Sequence, residues 1–213
     1  MNRRMESARA DQRRVAGERT RTRLMEAALD LIAERGEEAV TLRELTDAAD
    51  ANVAAVSYHF GALKSLCDAA IGQALERYLD AQQAAVSALG PESTLEELAA
   101  VFAQPMISAL TEGGRDRAVI RIVARAGIDP PRQWDRFDAR FDQIRADVLQ
   151  ILKANLPGVR SSELIFRTRC AAGMLNWLAL VRVGDELGDK SEKQAARLVV
   201  PIVAGAFRGT SSA

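Results

Sequence analysis

From residue 20 the chain reads "TRTRLMEAALDLIAERG", and apolar side chains recur at Leu24, Ala27, Ala28, Leu31 and Ile32. Steps of three and four place them on one face of a helix, with Gly36 as a natural stop. In "TLRELTDAA", Thr41 and Glu44 have the spacing of a capping box, predicting a second helix that ends near Ala48 or Ala49. Leu42 and Leu45 would face inward. Asp50 and Ala51 form a short connection, and Asn52 is an N-cap for a third helix running to about His59. Two short helices across a tight turn, behind a longer supporting helix, define a helix-turn-helix.

After Gly61 one long helix is predicted over about 62–88, ending at "GPEST". Helical spacing continues over 94–112, with Leu95, Leu98, Phe102 and Met106 and a kink at Pro105. Further helices are predicted over 115–126, 131–154, 162–184 and 190–207. Within 131–154 a stripe of Trp134, Phe137, Phe141, Ile144, Val148 and Ile151 is expected to be buried. No internal repeat or low-complexity segment interrupts the series. The expected fold is all-α, about nine helices, divided into a basic flexible arm (1–18), a helix-turn-helix domain (19–65) and a helical domain for ligand binding and dimerisation (66–213).

Composition supports that class: 48% of the 213 residues are hydrophobic but only 5% are aromatic, which favours helices packed on helices. Charge changes the picture more. The formal net charge is zero, yet residues 1–23 hold eight arginines against three acids, so the remainder carries the compensating negative charge. A basic arm before an acidic body points to contact with a polyanion. Residues 24–66 hold three basic side chains (Arg35, Arg43, Lys64) against eight acids, leaving the arm to offset local repulsion. Cys67 and Cys170 lack a disulfide-framework spacing and fit a reducing cytoplasm. No long apolar run or signal-peptide pattern is present, so a cytoplasmic location is expected and no membrane partner. With one histidine, no metal-ligand cluster, no phosphate-binding glycine loop and no nucleophile–base–orienter set, neither catalysis nor a cofactor is expected.

The stretch "NVAAVSYHFG" carries the chemistry. On a helix starting after Asn52, Val56 and Phe60 share one face and would dock inward against Leu42, Leu45 and Leu31. Val53, Ala54, Ala55 and Ser57 then face outward at the end where recognition helices meet base edges. Small side chains let such a helix sit deep in a major groove, and the apolar ones offer contact to thymine methyl groups. Tyr58, His59 and Thr41 are polar groups placed for phosphate oxygens. Arg43, Asn52, Lys64, Ser57 and the arginine-rich arm complete the candidate set. Alternatively, this is simply a packed alanine-rich helix with a satisfied histidine.

Residues 19–71, through "TLRELTDAADANVAAVSYHFGALKSL" and its aromatic-plus-Phe-Gly ending, resemble the DNA-binding domain of the TetR family of bacterial transcriptional regulators. The string "NVAAVSYHFG" is also similar to a branch that includes fatty-acid-responsive members. Two positions depart from the family pattern: Asp50 stands where a turn glycine is usual, and Leu63 where a basic residue is usual, with Lys64 one position later. The resemblance implies a homodimer on a palindromic operator, released by a small apolar or amphipathic effector. It also implies that the last two helices pair with their symmetry mates, and Leu175, Leu178, Val199 and Ile202 are the candidate contacts there, beside small residues such as Gly173 and Gly205. A ligand pocket is expected ahead of that bundle, with Phe102, Met106, Trp134, Phe137, Phe141, Met174 and Trp177 as lining and Arg121, Arg125, Arg167 or Arg169 as partners for an anionic head group. The competing reading is a small-molecule binding protein whose helix-turn-helix no longer binds DNA.

Overall fold

The computed structural model describes residues 2–90, 92–111, 114–127, 132–181 and 190–209, which form nine α-helices and two short 3₁₀ segments. The helices are α1 (Asn2–Arg35), α2 (Leu42–Ala48), α3 (Val53–Phe60), α4 (Leu63–Ser87), α5 (Leu95–Thr111), α6 (Gly114–Ala126), α7 (Asp138–Asn155), α8 (Ser161–Leu180) and α9 (Glu192–Arg208). They divide into two compact units, 1–73 and 74–213, and the boundary falls inside α4.

Local chemistry sets the helix starts. Thr41 Oγ1 accepts from the Glu44 amide at 3.3 Å while the Glu44 carboxylate accepts from the Thr41 amide, a closed capping box. Thr94 with Glu97 and Ser191 with Gln194 repeat the arrangement at α5 and α9. At α3, Asn52 Oδ1 accepts from the Ala55 amide at 2.8 Å. Each cap satisfies amides that an α-helix leaves without a partner.

In the first unit, Leu24, Ala28 and Ile32 of α1, Leu45 and Ala49 on and beside α2, Val56 of α3 and Leu66 of α4 are all buried. This small core holds the two short helices against α1. Asp50 sits in the turn with φ of 46°, a left-handed conformation that aspartate tolerates better than most side chains. Arg23 Nη1 donates to Asp50 Oδ2 at 3.1 Å and ties the turn to α1.

The second unit is built around Leu98, Ala103 and Ile107 of α5, Val148 and Leu152 of α7, Leu164 and Ala171 of α8, and Val203 and Phe207 of α9. Helix α9 packs most extensively on α5, where the Phe102 and Phe207 rings meet edge to face at 5.5 Å. Arg208 pairs with Glu96 at 2.5 Å along the same contact. Arg167, expected among the head-group partners, instead closes the end of α9. Its Nη1 donates to the carbonyls of Phe207, at 3.1 Å, and Arg208, and Nη2 donates to Glu163 at 2.5 Å. A guanidinium on the final carbonyls of a helix satisfies groups that have no amide partner and complements the helix dipole.

Three expectations are corrected. Residues 2–18, expected as an arm separate from the first helix, are helical and continue α1, because the arginine, alanine, glutamate and glutamine of this stretch are good helix formers and no proline stops them. The segment expected as one helix over 131–154 opens as a 3₁₀ turn, Arg132–Phe137, before α7 begins; 3₁₀ geometry is common at helix N-termini. Its stripe is buried at Phe137, Val148 and Ile151 but only half-buried at Phe141 and Ile144. The helix expected to reach 184 ends at Leu180, where Val181 turns extended, and residues 182–189 lie outside the described residues.

Candidate nucleic-acid interface

Helix α3 presents two unlike faces. Val56 is 2% exposed and seats the helix on the core. Phe60 is half-buried beneath the Arg21 guanidinium, 5.2 Å from its ring centre. The opposite side carries Val53, Ala54, Ser57 and Tyr58 in the open, with Tyr58 84% exposed. Ala55 is half-buried between the two faces. Of the residues expected to face outward, Val53, Ala54 and Ser57 are exposed together, and Ala55 is not.

His59 is half-buried, and its ring meets Tyr58 edge to face at 4.9 Å. Gly17 of α1 lies opposite: a Cβ there would stand 3.7 Å from the imidazole. Thr20, Arg23, Asp50, Ala51, Asn52, Ala54, Ala55, Tyr58 and His59 line an open notch of about 620 Å³ between α1 and α3. Thr20, Asp50 and Ala51 were absent from the sequence-derived set, and Arg23 entered it only as part of the arginine-rich stretch, because only the fold brings α1 beside the turn. A hydroxyl and a phenol border this depression beside Arg23, whose guanidinium already donates to the Asp50 carboxylate there.

Three candidates hold structural contacts as well. Asn52 commits its carbonyl oxygen to the α3 cap, leaving its side-chain amide hydrogens to donate outward. Thr41 Oγ1 is engaged with Glu44 at 2.7 Å. Arg43 extends into solvent with Asp47 only at 3.9 Å, so it keeps its reach.

Lys64 differs. Its ammonium pairs with Glu37 at 2.8 Å and Asp68 at 2.5 Å. Burial pulls its pKa down, but the hydrogen bonds to those two carboxylates outweigh this and raise it to about 12. A cation already matched by two anions offers little net charge to a phosphate, so Lys64 leaves the candidate set.

Glu44 joins the α2 cap to α1. The Thr41 hydroxyl, then Arg35 Nη1 at 2.8 Å, hold its carboxyl below the ordinary 4.5. A lowered native pKa means stability that is present above the ordinary carboxylate value and lost as pH falls through the native one. Glu44→Gln is therefore expected to lower the melting temperature at neutral pH, and the gap from wild type should close as pH drops below about 4. Melting curves of both proteins across that range check it.

In the second unit, Met106 and Phe137 are buried, and Phe102, Phe141 and Met174 are half-buried. The side chain of Trp134 lies outside the described residues. Trp177 is 57% exposed, so it belongs to the outer surface of the protomer instead of a pocket wall. Among the expected dimer contacts, Leu175 and Val199 are corrected: at 5% and 4% exposure they fill the protomer's own core. Leu178 is half-buried, and Ile202 is 58% exposed. Ile165, Phe166 and Leu198, which were not among the expected contacts, are exposed as well. Their signal in the sequence was weak, because α8 is apolar around most of its circumference. Among the described residues no group of His, Cys, Asp and Glu is placed to hold a metal, and no helix is long and apolar enough to cross a membrane.

Comparison with known proteins places this architecture. Residues 24–70 match the family described as bacterial regulatory proteins, tetR family, and residues 99–206 match the tetracyclin repressor-like C-terminal domain. The chain belongs to the TetR family, DNA-binding transcriptional regulators with an N-terminal helix-turn-helix and a helical ligand-binding domain. Among solved structures it is similar to a TetR-like transcriptional regulator from Rhodococcus sp. RHA1, at 15% identity over 90% of this chain and 97% of that one, TM-score 0.63. A mutant of HlyIIR shares the fold at 17% identity over 91% and 97% of the two chains, TM-score 0.57. The superantigen PfiT does so at 20% identity over 86% and 95%, TM-score 0.54. No curated protein sequence matches significantly.

Proposed function

We propose that the protein is a cytoplasmic homodimeric repressor that holds a palindromic operator and releases it when a small apolar or amphipathic molecule binds the second unit. The observation that carries this reading is the split of α3 into a buried Val56 face and an exposed face of small residues ending in Tyr58. That exposed face enters the major groove. Val53, Ala54, Ala55 and Ser57 meet base edges, while Tyr58, His59, Thr41, Asn52 and Arg43 meet phosphates, with Thr20 and Arg23 beside them.

Dimerisation uses the outer faces of α8 and α9. Ile165, Phe166, Trp177, Leu198 and Ile202 are exposed there, which is unusual for large apolar side chains on a free surface. A Cβ added at Gly173 or Gly205 would meet nothing within 4 Å, so the protomer itself does not require glycine at either place. Helical glycine is destabilising by about 1 kcal/mol relative to alanine. Close approach of a second copy accounts for both.

Phe102, Met106, Phe137, Phe141 and Met174 line the effector site. Helix α4 spans both units, so an effector that shifts its second half displaces the first half and changes the separation of the two recognition helices. A tenfold loss of operator affinity needs only about 1.4 kcal/mol of coupling.

The test is selection of bound sequences from random duplex DNA, followed by gel shifts of the winner at several salt concentrations. An inverted repeat with half-sites about one helical turn apart is expected. Deleting residues 1–18 should flatten the salt dependence, by roughly 0.9 in logarithmic slope for each phosphate that the shortened chain no longer neutralises. The neutralised Lys64 favours a second reading, a small-molecule binding protein without specific DNA binding. Failure to enrich any sequence would establish it over the first.

A further inference from the structure

The buried core of the first unit begins at Leu24, yet α1 begins at Asn2. Gly17 of this helix faces the His59 imidazole. At a rise of 1.5 Å per residue, the part of α1 ahead of Gly17 extends about 22 Å past that contact.

The charges of the extension are sorted by face. Arg9, Arg13, Ala16, Thr20 and Arg23 follow at steps of four, three, four and three, so they hold one line along the helix. No acid falls on that line between its two ends. Asp11, Arg14 and Glu18 hold a second line on the opposite flank, where Arg14 pairs with Asp11 at 3.8 Å. The first line leads straight to the recognition helix. Thr20 and Arg23 border the notch, and Ala54, Ala55, Tyr58 and His59 of α3 form its other wall. Ala54 and Tyr58 also belong to the exposed face of α3, so a duplex seated on that face passes the mouth of the notch. Arg23 is matched there by Asp50. Arg13, further out, is exposed, and among the described residues it holds no ion pair. A line of cations at the edge of a DNA-reading surface, with the acids turned away, is complementary to a phosphate backbone.

We propose that the Arg9–Arg13 line of α1 is a second DNA-binding surface, a rigid helical extension that engages phosphates flanking the segment read by α3, over about six base pairs at each end of the operator. This rests on the DNA-binding reading above and extends it from the bases to the flanking backbone. A helix holds its cations in register with particular phosphates. A loose arm would deliver the same charges with no preference between Arg13 and Arg14.

The test uses the full chain and two versions of the selected operator, one trimmed to the inverted repeat and one lengthened at each end by about six base pairs. Lengthening should tighten wild-type binding about tenfold at low salt. Arg13→Gln should remove most of that gain and lower the logarithmic salt slope on the long duplex by about 1.8, from about 0.9 for each of two copies. Arg14→Gln removes the same charge from the other flank, where an acid already matches it, and should cost no more than about twofold. Ala16→Pro keeps every charge but breaks the helical line. It should lose as much of the gain as Arg13→Gln, with an unchanged melting temperature, because the buried core starts at Leu24. Affinity that ignores duplex length, equal losses from Arg13→Gln and Arg14→Gln, or a folded Ala16→Pro variant that keeps the wild-type gain would each overturn the helical surface. Failure of the recognition reading looks different. Binding that prefers no sequence, yet still depends on duplex length and on Arg13, keeps the α1 surface and removes base reading by α3.

Discussion

Replacing Ala54 by glutamate is expected to weaken operator binding at least a hundredfold while leaving the fold as stable as wild type. Ala54 is the second residue of α3 and is exposed, so a longer side chain there meets no protein atoms that it must displace. A carboxylate in the first turn of a helix also complements its dipole, so the melting temperature should hold or rise slightly. On DNA the same carboxylate enters a groove bordered by phosphates and faces bases through a site evolved for a methyl group. Like-charge juxtaposition at an interface costs several kcal/mol, and a hundredfold loss corresponds to about 2.8 kcal/mol. Ala54→Gln separates size from charge and should lose distinctly less. Fluorescence anisotropy on the selected operator, beside melting curves, reads both quantities. A folded Ala54→Glu variant that binds like wild type would remove α3 from the groove and take the proposed interface with it.

The second large effect is expected from Phe166→Glu, which should turn the dimer into a folded monomer. Phe166 is 66% exposed on the protomer, so its loss removes little of the protomer's own packing. In a symmetric interface the same side chain appears twice, and every change counts twice. Each phenylalanine buried against a partner contributes roughly 1.5–3 kcal/mol, and each carboxylate left without a partner there adds a further penalty. A dimer dissociation constant raised by on the order of a thousandfold follows from two such terms. Operator affinity falls with it, because a lone helix-turn-helix reads one half-site. Light scattering gives the mass, and anisotropy gives the affinity. Leu175→Ala is the contrasting variant: Leu175 lies in the protomer's core, so its truncation should lower the melting temperature by opening a cavity instead of selectively splitting the dimer. If Phe166→Glu stays dimeric at low concentration, the α8–α9 face is not the contact between copies.

Local signals read correctly wherever the physics is local. Thr41 with Glu44, and Asn52 with the Ala55 amide, act within one helical turn, so spacing alone reveals the caps and the starts of α2 and α3. Val56 is inward because a short amphipathic helix has one apolar stripe to bury, and its outward set follows by elimination. The helical arm escaped notice for the opposite reason. Residues 2–18 have no apolar periodicity to detect, and their helicity depends on propensity and continuity with the buried part of α1.

What the sequence determined by itself is the all-α plan, the helix-turn-helix and the exposed face of α3, since each arises from residues within a few positions of one another. Tertiary structure alone decided which cations are still available and which apolar residues are covered. Lys64 is closed off by Glu37, far from it in the chain, and Arg167 by the end of α9. Leu175 and Trp177, two positions apart on the apolar α8, fall on opposite sides of the protomer surface. A helix that is apolar around most of its circumference does not encode which side meets its own core, and only the packing of α5, α6, α7 and α9 against it settles the matter.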